Sequence, residues 1–208
     1  DYDLEVYVDG HEAGKSTSGY SNDYYNYAAI HEEFTSADLK RSNTDSLGAS
    51  ADGVLTEVYL DRDNEIITVA SIHTWLARAT SAYSTSRENA TLKVFLTNET
   101  GMSKTVNVSD VPEVEGVAAD SFYLVRMSDK DTTKLEVVDI DEPEILADST
   151  ITKFSTGTKD NTTVSYPQTL TTDGVEYKDS DRAIYDADTL NQYDKDLLTV
   201  NTYNVYLD

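Results

Sequence analysis

The sequence predicts an all-β protein built of sandwich-like or barrel-like modules, with helices only as short pieces. Segments that alternate apolar and polar residues follow one another at intervals of about ten residues. Clusters of Asn, Gly, Asp and Ser separate these segments, as turns do. The chain also has 15 Tyr against 4 Phe and 1 Trp. Tyrosine favours half-buried pleated surfaces, where the ring packs and the hydroxyl reaches water.

The first half of the chain carries the clearest local signals. Residues 4–9 alternate and end at Gly10, which predicts a strand that runs into a turn. Residues 54–69 contain two β-rich runs on either side of an Asp-Arg-Asp-Asn sequence, so they are predicted to form a hairpin. Residues 70–83 fit one face of a helix or one face of a strand, and we favour the strand.

The remaining elements are predicted from the same two signals. Further strands are expected at residues 91–97, 104–108, 121–127, 134–140, 151–154, 162–166, 174–178 and 197–207. Short helical stretches are expected within residues 24–34, 36–40 and 186–192. The acidic run 139–144 contains Pro143, which fits poorly in a central strand. It therefore predicts a boundary between a first β region, 1–147, and a second β module, 148–208.

One internal repeat bears on the end of the chain. Residues 5–9, 57–61 and 204–208 share the order polar, Val, Tyr, aliphatic, Asp. The second copy continues through a turn into a return strand, whereas the third copy stops at Asp208. The sequence therefore predicts that the second module is truncated at its C-terminus and presents an unpaired strand edge.

Composition and charge exclude several classes of protein. With 16 basic and 39 acidic residues the formal charge is −23, so the surface repels phosphate backbones and no nucleic-acid partner is expected. Anionic membranes are disfavoured for the same reason. No apolar run approaches the roughly 20 residues that span a bilayer, so no membrane insertion is predicted. The absence of Cys excludes disulfides, thiolate metal sites and Cys nucleophiles.

Sequence motifs provide little support for catalysis. His11 and His31 each precede a Glu, as in zinc proteases, but Lys15 and Thr35 stand where the second His is required. The nucleophile motif G-x-S-x-G is absent, and His73 is predicted to pack in an apolar stretch beside a Trp. We therefore predict that the chain is not an enzyme. A fragment of a carboxylate-dependent glycoside hydrolase is the less favoured alternative. Among 39 acids some pairs always have suitable spacing, so the presence of such pairs does not indicate this activity.

Calcium is the one cofactor that the spacing of acids indicates. Asp61, Asp63 and Glu65 have the one, three, five spacing of a Ca²⁺-binding loop, and oxygen ligands suit this ion. Ile66 and Ile72 then occupy the places of the required Gly and the closing Glu, which weakens the match. No other cofactor is expected. Similarly spaced pairs are Asp129 and Asp131, Asp139 and Asp141, Asp179 and Asp181, and Asp186 and Asp188.

Residues 57–79, 120–126 and 178–208 resemble regions of large secreted proteins of Clostridia-type Gram-positive bacteria. Those proteins carry S-layer homology domains, which anchor them to cell-wall polymers, elsewhere in the chain. The resemblance touches most of residues 54–208 and includes no catalytic signature. It implies an extracellular location at the cell surface or in the cell wall, with neighbouring modules of the same parent protein as partners.

Two functions remain open after these observations. A non-catalytic structural or spacer module of an S-layer-associated surface protein is favoured, because β modules, the lack of thiols and a high negative charge all suit that role. The alternative is an adhesion module that binds a cell-wall or host glycan, or another host ligand, through exposed aromatic rings. Tyr20, Tyr24, Tyr25 and Tyr27 form the cluster that would carry such binding.

Overall fold

The computed structural model describes residues 3–12, 53–96, 101–129, 135–159, 162–178, 180, 183–184 and 201–208. Within these ranges the fold is all-β, as predicted, and a single turn of 3₁₀ helix at Pro112–Gly116 is the one helical element. The strands are β1 (Asp3–Val8), β2 (His11–Glu12), β3 (Val54–Asp61), β4 (Ile66–Ser84), β5 (Asn89–Phe95), β6 (Gly101–Asn107), β7 (Phe122–Asp129), β8 (Leu135–Asp141), β9 (Glu144–Ser149), β10 (Ile151–Lys159), β11 (Thr162–Thr172), β12 (Val175–Lys178) and β13 (Tyr203–Leu207).

Two hairpins are closed by the same pair of residue types. Asp9 and Gly10, between β1 and β2, have φ values of 48° and 77°. Asp173 and Gly174, between β11 and β12, have φ values of 50° and 79°. Consecutive left-handed residues give the turn whose twist matches that of paired strands, and Asp and Gly tolerate this conformation. The predicted turn at Gly10 is therefore confirmed.

The hairpin predicted at residues 54–69 is formed by β3 and the first part of β4, and the strand predicted at residues 70–83 is the rest of β4. β3 and β4 pair from Asp61 and Ile66 to Val54 and His73. β4 then continues without a break to Ser84, which confirms the strand rather than the helix. Its first part has β1 on one edge, in parallel, and β3 on the other. Its second part pairs with β5 and with β7.

The main core lies against the second part of β4. There β5 pairs antiparallel with β6, and β7 pairs antiparallel with β8. β6 also contacts β8, where the Lys104 ammonium donates a hydrogen bond to the carbonyl of Leu135. Small side chains, Ala77, Ala79 and Ala90, occupy fully buried positions along β4 and β5, and the 3₁₀ helix inserts Val114 into the space between the strands. The buried cluster comprises Trp75, Ala77, Ala79, Ala90, Leu92, Val94, Val106, Val111, Val114, Val117, Tyr123, Val125, Met127, Leu135, Val137 and Ile140.

The C-terminal strand differs from its prediction. β13 was expected to lack its partner, but it pairs antiparallel with β9, where Leu207 lies opposite Glu144. The Tyr206 ring on β13 then packs on Phe122, with 4.7 Å between ring centroids. The sequence predicted no strand at residues 144–149, because this segment directly follows Pro143. Pro143 itself lies between β8 and β9, outside both strands.

The C-terminal residues also include a separate meander of β10, β11 and β12. This confirms the strands predicted at residues 151–154, 162–166 and 174–178. The predicted boundary between residues 147 and 148 falls inside β9, and the division into two modules stays a prediction. The helical stretches predicted at 24–34, 36–40 and 186–192 lie outside the described residues.

Candidate functional site

Among the residues that the structure describes, Asp9 and His73 form a buried pair of a carboxylate and an imidazole. The Asp9 side chain is 1% exposed. Its Oδ1 accepts a hydrogen bond from the backbone N–H of His73 at 2.8 Å, and its Oδ2 lies 3.0 Å from His73 Nδ1. The Asp9 backbone N–H donates to the Ser71 carbonyl at 2.9 Å. The β1–β2 turn is therefore joined to β4 by three polar contacts.

This arrangement supports structure better than chemistry. A carboxylate that holds Nδ1 of an imidazole is the orienting device of hydrolytic triads, where the other nitrogen must reach a nucleophile and substrate. The His73 side chain is only 11% exposed, and its ring meets the Trp75 ring edge-on, with 6.5 Å between centroids. The prediction that His73 packs beside Trp75 is confirmed. Since the imidazole is enclosed, the pair acts to hold β1 on β4.

The first of the two zinc-protease-like sequences lies on a strand. His11 and Glu12 form β2, opposite Val8 and Tyr7 of β1. A zinc-protease motif needs a helix, because helical spacing brings two His side chains four residues apart to one face. The backbone at His11 therefore differs from the one that this chemistry requires. The second sequence, at His31, lies outside the described residues.

The predicted calcium ligands lie in the turn between β3 and β4. Asp61 Oδ1 accepts hydrogen bonds from the backbone N–H groups of Asp63 and Asn64, both at 3.0 Å, and Asp61 Oδ2 accepts one from Asn64 Nδ2 at 2.8 Å. These bonds lower the pKa of Asp61, and the bond from the Asn64 side chain has the largest effect. Glu65 adopts a left-handed φ of 56° and closes the turn. Asp61 therefore acts as a turn-stabilising residue here.

The described residues contain no group of three His, Cys, Asp or Glu side chains arranged to hold a metal ion. Among the other predicted pairs, Asp139 and Asp141 flank one guanidinium. Arg126 Nη1 contacts the carboxylate of Asp139 and lies 3.1 Å from Oδ2 of Asp141. All three side chains are partly exposed. This pair is thus engaged by a cation from the neighbouring strand.

The hydrogen bonds of the turn predict a change in the titration of Asp61. We expect Asn64→Ala to raise the pKa of Asp61 toward its ordinary value, because it removes the largest of the three hydrogen bonds that lower this pKa. A lowered carboxylate pKa adds stability above the ordinary carboxylate range, and this stability is lost as pH falls through the lowered pKa. Carboxyl ¹³C NMR titration measures the shift. Asn107→Ala, at an exposed asparagine of β6, is the control and should leave Asp61 unchanged.

Melting in two salts tests calcium at the same turn. Because both oxygens of Asp61 already accept hydrogen bonds, we expect NaCl and CaCl2 to raise Tm equally at matched ionic strength. The common rise comes from screening of the −23 charge. A larger rise in CaCl2 that Asp61→Asn removes would instead establish a calcium site in this turn.

The aromatic rings on the outer face of the sheet contact one another. Phe95 of β5 stacks on Phe122 of β7, with centroids 6.4 Å apart, and Phe122 in turn contacts Tyr206. The Lys93 ammonium lies 5.4 Å from the centroid of Phe95. These half-buried rings join β5, β7 and β13. The tyrosine cluster predicted to bind a ligand, Tyr20, Tyr24, Tyr25 and Tyr27, lies outside the described residues.

Comparison of the chain with protein-family models, with curated proteins and with solved structures returns no match. The resemblance to S-layer-associated surface proteins therefore stays a prediction. No helix in the described ranges is long and apolar enough to cross a bilayer.

Proposed function

We propose that this chain is a non-catalytic structural or spacer module of a bacterial cell-surface protein of the S-layer-associated type. The observation that carries the proposal is the continuity of β4. This 19-residue strand pairs with β1 and β3 along its first part and with β5 and β7 along its second part. Two sets of strands thus share one backbone, so they cannot separate without loss of hydrogen bonds in β4. A spacer needs this kind of continuity.

The roles of the polar side chains support the same proposal. The buried pair Asp9 and His73 joins β1 to β4, and Asp61 stabilises the turn between β3 and β4. Arg126 joins β7 to β8 through two carboxylates. Each of these groups stabilises the scaffold. Extracellular placement and contact with neighbouring modules of the parent protein belong to the proposal and follow from the resemblance.

Replacement of the module tests a spacer role. In the parent protein, residues 1–208 would be replaced by an unrelated β module of equal end-to-end length, and in a second variant they would be deleted. We expect the replacement to retain surface display and layer assembly, and the deletion to bring the distal part closer to the cell wall. Antibody accessibility and electron microscopy of the cell surface report both properties.

Loss of binding would favour the other function. If the replacement keeps display but abolishes attachment to cell-wall or host glycans, the chain is an adhesion module. If purified chain instead cleaves a glycan, the structural proposal is wrong. The attachment assay uses the parent protein at the cell surface and the cleavage assay uses the purified chain, so the three outcomes are distinguishable.

A further inference from the structure

β1 is joined to the first part of β4 by a continuous series of backbone contacts. The six residues of β1 pair in parallel with the first six residues of β4. The Asp3 backbone N–H donates to the Glu65 carbonyl at 2.8 Å, just before the start of β4. The Asp9 backbone N–H, just after the end of β1, donates to the Ser71 carbonyl at 2.9 Å. The two strands are therefore bonded along the whole length of β1.

Buried side chains strengthen the same junction. Val6 of β1 lies opposite Val69 of β4, and the two residues are 4% and 0% exposed. Beyond the end of the ladder, the buried Asp9 carboxylate accepts a hydrogen bond from the His73 backbone N–H and contacts His73 Nδ1. Water is largely excluded from these groups, so it does not readily replace the contacts as they break. Movement of β1 along β4 therefore breaks backbone and side-chain contacts together.

The parallel direction of pairing decides how tension acts on this junction. Asp3 lies beside Ile66, at the end of the sheet where β4 begins. The C-terminal strand β13 packs through Tyr206 on Phe122. Phe122 pairs with Arg78, far along the second part of β4. Tension between the start of β1 and β13 therefore pulls β1 and β4 past each other, along their common direction.

We propose that β1 and β4 form a mechanical clamp, by which the module resists tension applied along β4. The proposal rests on the spacer function, since a module that separates two parts of a surface protein transmits force between them. Strands that are pulled past each other load all the hydrogen bonds of their ladder at once, whereas strands that are pulled apart at one end lose these bonds one after another. The barrier that governs forced unfolding is therefore higher along β4 than across it.

The test pulls the purified full chain with optical tweezers from two different pairs of points. The chain has no Cys, so introduced cysteines alone define where DNA handles attach. Asp3→Cys with Thr85→Cys places the handles at opposite ends of β4, and Asp3→Cys with Asp63→Cys places both at the end where β4 begins. All three positions are exposed. We expect the first pair to require at least about twice the unfolding force of the second, because only the first loads the whole ladder together.

Two variants distinguish the clamp from overall stability. Asp9→Ala removes the side-chain contacts at the far end of β1, so it should lower the unfolding force of the first pair by about a quarter or more. Leu92→Ala is the matched control, because it removes a fully buried side chain of β5 in the main core. It should lower this force by less than half as much. Urea unfolding of both variants confirms that they fold and compares their stability without force.

Two results would overturn the clamp. Equal unfolding forces for the two pairs of points would mean that the direction of tension relative to the ladder does not matter. Equal losses of force in Asp9→Ala and Leu92→Ala would mean that resistance follows overall stability. The spacer function is decided separately, by replacement of the module in the parent protein, because the pulling experiment uses the purified chain alone.

Discussion

Asp9→Ala should lower the free energy of unfolding by about 3 kcal/mol, as expected when a buried hydrogen-bonded carboxylate is removed. The substitution removes the acceptor of the His73 backbone N–H and the partner of His73 Nδ1. It also places Ala at a φ of 48°, which Asp tolerates better. Urea unfolding followed by circular dichroism measures the change.

Asp9→Asn is the matched variant for this pair. Asparagine keeps an oxygen for the His73 N–H and tolerates the left-handed turn, so we expect it to retain at least half of the lost stability. Amide hydrogen exchange provides a second measurement, because β1 and β2 should lose protection before β5 and β7 do. Asp9→Ala with wild-type stability and unchanged protection of β1 would show that the pair does not hold the strand.

Leu92→Ala should lower the free energy of unfolding by about 3 kcal/mol, the usual cost of a cavity in a packed core. Leu92 is 0% exposed and belongs to the cluster that joins β4, β5, β7 and the 3₁₀ helix. Leu60→Ala removes the same atoms from a residue that is 52% exposed, so it should cost well under half as much. The same urea titration compares the two, and similar losses would contradict the location of the core.

Asp9→Ala and Leu92→Ala together test whether the two parts of β4 unfold in one transition. Asp9 contacts the part of β4 that pairs with β1 and β3, whereas Leu92 lies on β5 against the other part. A cooperative transition in both variants, seen at the same urea concentration by tyrosine fluorescence and by circular dichroism, would show that the shared strand couples the two parts. This coupling is the property on which the proposed spacer function depends.

The calcium site stays a prediction, and it shows how far a spacing argument reaches. Asp61, Asp63 and Glu65 have a spacing that occurs both in Ca²⁺-binding loops and in turns stabilised by an aspartate. Only the hydrogen bonds from Asn64 and from the backbone of residue 63 show that both Asp61 oxygens serve the turn. Sequence spacing identifies the residues near a turn, and it does not say where their oxygen atoms point.

Local signals determined the hairpins and most strands. Asp9 with Gly10, and the acids between β3 and β4, specify turns through their own backbone preferences, and alternation along residues 54–69 specifies paired strands. Such signals act over a few residues, so they can be recognised without knowledge of the rest of the chain. The all-β fold class follows from their number and spacing, and the structure confirms it.

Tertiary structure decided what distant residues do to one another. Residues 70–83 fit two periodicities, and they form a strand because partners lie along both edges of β4. β9 has a weak pattern after Pro143, and it forms by pairing with β13, more than fifty residues away. Asp9 and His73 are 64 positions apart. Pairing across such separations depends on how the whole chain closes its loops, and no local pattern records that free energy.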